Sequence, residues 1–397
     1  MVYSSKERSS KNLNYYLIHS IYNGLKQKAE LWFLNENNDF IKWIDNSGHK
    51  PYLLSTEFLK SYDSDSPDEF RIKTVVPEIV SKYDAIHWCD KKLYKYIVQT
   101  PTDIYNDKTH SGLRTLLNDV WESNIRYTDC YLFDRFFTYC MPYTLNNGVS
   151  MIGFDDQAFL PEKELFMIQW QTFFETPIPD LPRVAIDIEV QTEKNQLPNV
   201  IQADRPIIAM AIYGIINDVL FKRILLLSEI KSEKAMIQQF LDSLFQFHIV
   251  LTFNGDEFDF QYLYNRGKKL GVDVSSIIPE IHKATVRQIS LSHGIHLDLF
   301  KFFNNSSFRT YAFNEKYDPY PSLEELAKVF LNREKKGERA FLSQMSPQEL
   351  AEYCMNDAEM TYELSKIVMP LVILLSRITR LSPQDVCRVS ISRFTLN

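Results

Sequence analysis

The seven residues Val184-Ala185-Ile186-Asp187-Ile188-Glu189-Val190 constrain this chain more than any other stretch of it. Side chains alternate between the two faces of a β-strand, so residues i and i+2 share a side. Asp187 and Glu189 therefore point one way, while Ile186, Ile188 and Val190 point the other. One face asks for an apolar partner, and the other holds two carboxylates side by side. Like charges that close repel unless a cation or a proton neutralises them. Alone, the pattern also fits an exposed strand edge with two solvated acids, so its meaning depends on what else the chain brings to that face.

The surrounding rhythm is that of a layered α/β domain. Ile207 to Tyr213 and Phe221 to Leu227 read as second and third strands. Met236, Ile237, Phe240, Leu241, Leu244 and Phe245 recur at the spacing of an amphipathic helix, and His248 to Phe253 reads as a fourth strand. This order predicts a mixed sheet with helices on its faces. Ser346-Pro347-Gln348-Glu349 sets out a cap serine, a first-turn proline and a capping-box glutamate. A helix is expected from Pro347 through Asp357 and into Tyr362. A further apolar helix is expected over Leu364 to Leu381, interrupted at Pro370.

Upstream, Tyr16-Leu17-Ile18 and Ala29 to Phe33 read as strands broken at Asn23-Gly24. Asp45 to Pro51 and Ser64 to Asp68 read as loops, and Gly112 to Trp121 has helical spacing at Leu113, Leu116, Leu117 and Val120. Three prolines in Pro177 to Pro182 mark a linker or the start of a strand. The expected class is α/β (α+β). It comprises an N-terminal mixed α/β domain over 1–160, a domain with a central mixed β-sheet flanked by helices over 161–365, and a helical connection over 366–397.

Two further motifs could complete the acidic face. Asn254-Gly255-Asp256-Glu257-Phe258-Asp259 follows the fourth strand, and asparagine and glycine suit a sharp strand-to-helix turn. Asp259 falls in the first helical turn, where negative charge is favourable. Tyr353 and Asp357 are four apart on the capped helix and share one of its faces. Each motif alone fits a plain turn or a solvated helix face.

Composition narrows the classes. The 397 residues hold 44 Lys and Arg against 51 Asp and Glu, a net charge of -7. That argues against a nonspecific polycationic binder but leaves room for a local basic groove. The five cysteines form no C-x-x-C pair and are odd in number, so zinc and a disulfide framework are not expected. The first fourteen residues, Met1 to Asn14, lack the apolar stretch of a signal peptide, and no apolar run reaches the ~18 residues of a membrane span. The expectation is a soluble, cytoplasmic, nucleoid-associated protein with no membrane partner.

In order, D-x-E on a strand, N-x-x-x-F-D at a strand-helix turn and Y-x-x-x-D on a helix resemble the three exonuclease motifs of the DEDDy nucleases. "AIDIEV", "LTFNGDEFDFQYLYNRGKKLG" and "YCMNDAEMTYEL" are similar to the proofreading domain of family B DNA polymerases, above all the archaeal type. "GIHLDLFKFF" and "SLEELAKVFL" between them also resemble that family. The similarity covers Arg183 to about Arg388 and extends more loosely over the N-terminal region. That region is similar in outline to a domain that can sense uracil in template DNA, and a DNA-cradling or scaffold role is expected for it. Val190 departs from the threonine that often follows the D-x-E.

The resemblance implies an RNase H-like 3′→5′ exonuclease domain with two divalent ions, Mg²⁺ or Mn²⁺. Asp187, Glu189 and Asp357 would hold one ion; Asp187, with help from Asp259, would hold the second. Tyr353 would orient the attacking water, and Asn254 and Phe258 would shape the place of the DNA 3′ end. Oxygen ligands suit such hard cations, and paired metals suit phosphodiester hydrolysis. Phe258, Tyr262, Arg266, Lys268 and Lys269 are candidates for stacking and backbone charge along a single strand, and a solvated helix face fits the last three at least as well. The implied partners are single-stranded 3′ ends and primer-template DNA.

The palm, fingers and thumb motifs of the family are not in this sequence. Asp318-Pro319-Tyr320-Pro321-Ser322 echoes a palm motif but lies between the second and third exonuclease motifs, and Asp63-Ser64-Asp65 sits in a polar loop. The chain reads as a piece of a longer polymerase, one product of a split gene, or a free-standing nuclease. The synthetic region would lie on the same protein or on a second chain. The alternative function is a non-catalytic DNA-binding or assembly subunit of a split polymerase.

Overall fold

The computed structural model describes residues 14–59, 77–84, 86–105, 112–145, 148–151, 170–192, 198–279, 281–282, 288–333 and 344–389. The Ser64–Asp68 loop and the acidic pair Asp63 and Asp65 lie outside them. The chain forms two compact units, each discontinuous in sequence. One comprises Met1–His19, Trp32–Ile41 and Thr138–Asn397, the other Ser20–Leu31 and Lys42–Phe137. The two strands expected near the N-terminus run Tyr15–Asn23 and Lys28–Asn35 and pair as a hairpin, whose tip belongs to the smaller unit and whose base belongs to the larger.

The smaller unit holds a four-stranded sheet in the order Glu78–Asp84, Cys89–Ile97, Tyr52–Ser55, Val120–Trp121. Leu53, Tyr96, Val98, Ile104, Leu113 and Leu117 fill one face of it, and Tyr52, Leu54 and Leu93 the other. The helix expected across Gly112 to Trp121 is not formed. Leu113–Leu116 is a single 3₁₀ turn, and Val120–Trp121 pairs with Leu54 and Ser55 as a short strand. Leu113 and Leu117 still reach the core, so tertiary burial outweighs the local spacing.

The larger unit is built on a five-stranded mixed sheet. Its strands are β1 (Arg183–Val190), β2 (Ile207–Ile216), β3 (Val219–Leu226), β4 (Ile249–Thr252) and β5 (Ile295–Asp298). The spatial order is β3-β2-β1-β4-β5, antiparallel on the β3 side and parallel from β1 to β5. Val184, Ile186, Ile188 and Val190 are buried on one face with helix α1 (Glu233–Leu244) and helix α2 (Asp259–Leu270). Each such side chain contributes about 2 kcal/mol by leaving water. Helix α3 (Leu299–Phe303) follows β5, and helix α4 (Leu323–Leu331) opens at Ser322, whose hydroxyl accepts from the Glu325 N–H. Ser322 in Asp318–Ser322 is thus a helix cap, which accounts for that sequence without any palm chemistry.

The other face of the sheet is covered by helix α5 (Pro347–Thr379). Its start is as expected: Ser346 Oγ accepts from the Glu349 N–H, and Glu349 accepts from the Ser346 N–H at 2.8 Å. Its middle is not. The interruption expected at Pro370 is absent, and one helix of 33 residues runs through it. Proline removes one hydrogen bond to the carbonyl four residues back. That residue is exposed Lys366, so water can satisfy its carbonyl while Val368, Met369, Val372 and Ile373 stay buried around the proline. Near the far end, the fully buried Arg377 donates to the carbonyls of Cys140 (3.1 and 3.2 Å), Phe173 (3.2 Å), Thr176 (2.6 Å) and Pro177 (2.9 Å). It thereby ties α5 to the segment that leads into β1. Arg377→Met keeps the apolar volume but strands these carbonyls, and should lower unfolding free energy by about 3 kcal/mol in urea titration. A change within about 0.5 kcal/mol would mean the carbonyls find other donors.

Candidate active site

β1 and α5 bring the first acids together. Opposite Asp187 and Glu189 on β2 stand Ala211 and Ala209, both fully buried. Their small side chains let α5 lie close to the sheet, with Cys354 and Ala358 buried beneath it. The Cys354 thiol donates to the Asp187 carbonyl at 3.5 Å, and the Arg183 guanidinium donates to Ser365 Oγ at 2.9 Å. These two contacts set the register of helix against strand and place Asp357 over the carboxylate face. Ligand oxygens of Asp187, Glu189 and Asp357 all lie within 4.8 Å of one another. The β1–β2 register shifts between Glu189 and Val190, so the strand bends immediately after the second acid.

The fourth acid comes from the turn after β4. β1 pairs with β4 only at Val184 and Ala185, which leaves the later part of that edge open. Asp259, in the first turn of α2, enters there and accepts the Ile188 N–H at 3.3 Å. The turn is sharp: Asn254 has φ of 74°, and a Cβ on Gly255 would lie 2.4 Å from the Thr252 hydroxyl. Glycine is required there by this close approach.

Burial and crowding shape the charges. The Asp187 carboxyl is pushed well above the ordinary range, first by burial, then by Glu189, Asp357 and Asp259. Asp259 is pushed up to about 7 by burial; its own and the Ile188 amide oppose this, while Asp298 and Asp357 add to it. Asp187 Oδ2 is buried without a hydrogen-bond partner among the described residues. A crowded set of hard oxygen donors, one of them without a partner, fits a divalent cation such as Mg²⁺ or Mn²⁺.

Tyr353 lies one helical turn before Asp357 on α5 and is half-buried. Asn254 is fixed by its own N–H, which donates to Asp298 Oδ1 at 2.8 Å. Phe258 caps α2, and its half-buried ring packs on the apolar core with its centre 5.9 Å from that of Tyr262. Two of these candidates, Tyr262 for stacking and Arg266 for backbone charge, are engaged within the fold. Tyr262 is fully buried, with its hydroxyl donating to the Arg205 carbonyl at 2.8 Å, so no base can stack on it. Arg266 forks onto Glu233 at 2.9 and 2.6 Å and is committed to the fold. Lys268 leans over the Tyr264 ring at 4.4 Å. Sequence reading assigned no role to Asp256 in the turn, nor to His296, Asp298 and Arg388, which meet it from other segments. The available signal was the buried alternation of "GIHLDLF", with a histidine and an aspartate at positions that both turn out fully buried.

Residues 118–315 match the family model described as DNA polymerase family B, exonuclease domain. DNA polymerase 1 of Saccharolobus solfataricus is 33% identical over 98% of this chain and 47% of its own length. DNA polymerase 1 of Sulfolobus acidocaldarius is 28% identical over 96% of this chain and 46% of its own. The solved family B DNA polymerase of Pyrobaculum calidifontis superposes with a TM-score of 0.69 at 16% identity, covering 96% of this chain and 49% of that one. That likeness bears on the fold alone. The chain spans about half the length of the relatives it matches.

The raised acids give a pH prediction. The Asp259 carboxyl titrates near 7 when folded and near 3.8 when not, so its contribution is full below the lower value and lost as pH rises through the upper. In chelator, Tm should fall between about pH 5 and pH 8, and Mn²⁺ or Mg²⁺ should raise Tm more at the higher pH. A Tm that is flat or rising over that window in chelator contradicts the assignment.

Proposed function

Because this chain carries the exonuclease domain of DNA polymerase family B, we propose that it removes nucleotides from DNA 3′ ends as the proofreading part of a longer polymerase. The observation that carries the reading is the meeting of Asp187, Glu189 and Asp357 within 4.8 Å, with Asp259 against the same strand. Three separate segments deliver these acids to one place, against their mutual repulsion. A non-catalytic assembly subunit would gain stability by losing them, which counts against that alternative.

In this reading Asp187, Glu189 and Asp357 hold one divalent ion, and Asp187 with Asp259 holds a second. Such ions, when bound, activate water and offset charge on the leaving 3′ oxygen. The chain's own residues do the rest. Tyr353, one turn from Asp357, orients the attacking water. Asn254 and Phe258, at the turn that delivers Asp259, border the place of the terminal nucleotide. The preference for Mg²⁺ or Mn²⁺ and for single-stranded 3′ ends or primer-template DNA belongs to the same proposal. So does a synthetic region on the same protein or on a second chain; the relatives named DNA polymerase are about twice as long as this chain. Among the described residues no helix is long and apolar enough to cross a membrane.

The test is digestion of a 3′-labelled single-stranded oligonucleotide with Mg²⁺ or Mn²⁺. Metal-dependent release of label is expected. Asp187→Ala and Asp357→Ala should each lower kcat by more than about 100-fold, since even residues supporting a metal ligand matter by ~10–100-fold. Tyr353→Phe should cost less, about 10-fold, with little change in KM. Activity indifferent to Asp187→Ala would sink the proposal.

A further inference from the structure

Beneath the turn that carries Asp259 lies a buried ionic cluster that the nuclease reading does not use. The Arg388 guanidinium donates to both oxygens of Asp256, at 2.7 and 3.0 Å. It also donates to the carbonyls of His296 at 2.9 Å and Gln384 at 2.8 Å, and to His296 Nδ1 at 3.0 Å. Because guanidinium can only donate, His296 Nδ1 accepts, which leaves Nε2 to donate to Thr252 Oγ1 at 2.7 Å. Asp256, His296 and Asp298 are fully buried. Burial raises the Asp256 carboxyl, but the Arg388 guanidinium opposes it, and the carboxyl is held below the ordinary carboxylate range.

Every amide of the turn finds an acceptor, two of them on the buried Asp298. The Asn254 and Asp256 N–H groups donate to the two oxygens of Asp298, at 2.8 and 3.0 Å. The Gly255 N–H donates to Thr252 Oγ1 at 3.1 Å. The Glu257 and Phe258 N–H groups then return to the Asn254 carbonyl at 3.2 and 3.0 Å. Asp259 is the next residue. Asp256 also accepts the Ile289 N–H at 3.1 Å, and its carbonyl accepts from Gln261 at 2.7 Å. A left-handed asparagine and three tight turn amides persist only where the surroundings over-determine them. Among the described residues, Arg388 is the cation that meets both Asp256 oxygens, and it comes from the segment after α5 rather than from the sheet.

We infer that Arg388 is a positioning residue for the nuclease site: acting through Asp256 and His296, it holds the Asn254–Phe258 turn that aims the Asp259 carboxylate at β1. This rests on the nuclease reading for its consequence and on the turn geometry for its substance. It also makes the segment that follows α5 a part of the site. Movement of residues 384–388 would reach the turn through the Arg388 guanidinium, and β5 also through Gln384, whose side-chain oxygen accepts the His296 N–H at 3.2 Å.

The test uses the 397-residue chain with R388K, which keeps the charge but loses the fork, and D256N, which keeps the shape but loses the charge. Three readouts are compared with the unaltered chain: amide exchange of peptides spanning 252–262 against those of α1, Mn²⁺ affinity by water-proton relaxation, and oligonucleotide kcat and KM. Expected for both variants is a retained fold, with exchange in the turn at least about tenfold faster and α1 unchanged. Mn²⁺ should bind at least about threefold more weakly, and kcat should fall at least about tenfold with KM within about twofold. Unchanged exchange in the turn overturns the inference. So does a loosened turn with unaltered Mn²⁺ affinity, or loss of the whole fold in both variants, which would make the cluster a general core element. If the unaltered chain releases no label, the nuclease reading falls instead, and exchange with Mn²⁺ affinity still decide the role of Arg388.

Discussion

Three carboxylates whose oxygens lie within 4.8 Å cannot hold themselves together, because their mutual interaction is repulsive. They are held by backbone. β1 supplies two of them in a fixed alternation, α5 supplies the third from a helix seated on alanines, and the turn after β4 supplies Asp259 through an open stretch of strand edge. Each delivery needs a local concession: small residues at Ala209 and Ala211, a bend after Glu189, and a left-handed Asn254 beside Gly255. The hydrophobic face of the sheet, with Ile186, Ile188, Phe240 and Phe260, provides the stability that these concessions draw on.

Two buried arginines show how polar groups serve such a scaffold. Arg377 meets only backbone carbonyls and works as a tie between segments distant in sequence. Arg388 meets a carboxylate as well and works through it on a turn. Both come from the last third of the larger unit, in or after α5. Neither would be exchangeable for lysine, whose single ammonium lacks the planar fork.

Four strands of the mixed sheet and the candidate acids were legible because each rests on a short-range rule, whereas the order of the strands and the fifth strand, Ile295–Asp298, were not. Alternation places Asp187 and Glu189 together, the spacing of Met236 to Leu244 marks a helix, and Ser346 to Glu349 spells out a cap. What was not legible depends on long-range contacts. Pro370 looks like a break until the exposure of Lys366 shows that the lost hydrogen bond can be met by water. Leu113 and Leu117 have helical spacing, but the strand at Val120–Trp121 is recruited by Leu54 and Ser55. Tyr262 and Arg266 look like DNA contacts until Arg205 and Glu233 occupy them. Arg388 stands 132 residues from Asp256, and no local pattern links the two.

The continuity of α5 has a mechanical meaning. Asp357 and Arg377 are set in one rod, about 30 Å apart at ~1.5 Å per residue. A rod pivoting at the Arg377 end by only about two degrees would sweep Asp357 through about 1 Å, a misplacement large enough to matter for in-line chemistry. A hinge at Pro370 would have absorbed such a tilt; an unbroken helix instead amplifies it. The stiffness of this lever therefore sets how accurately the acidic site can be kept in tune, and the mooring of its distal end matters to a reaction that takes place at the other.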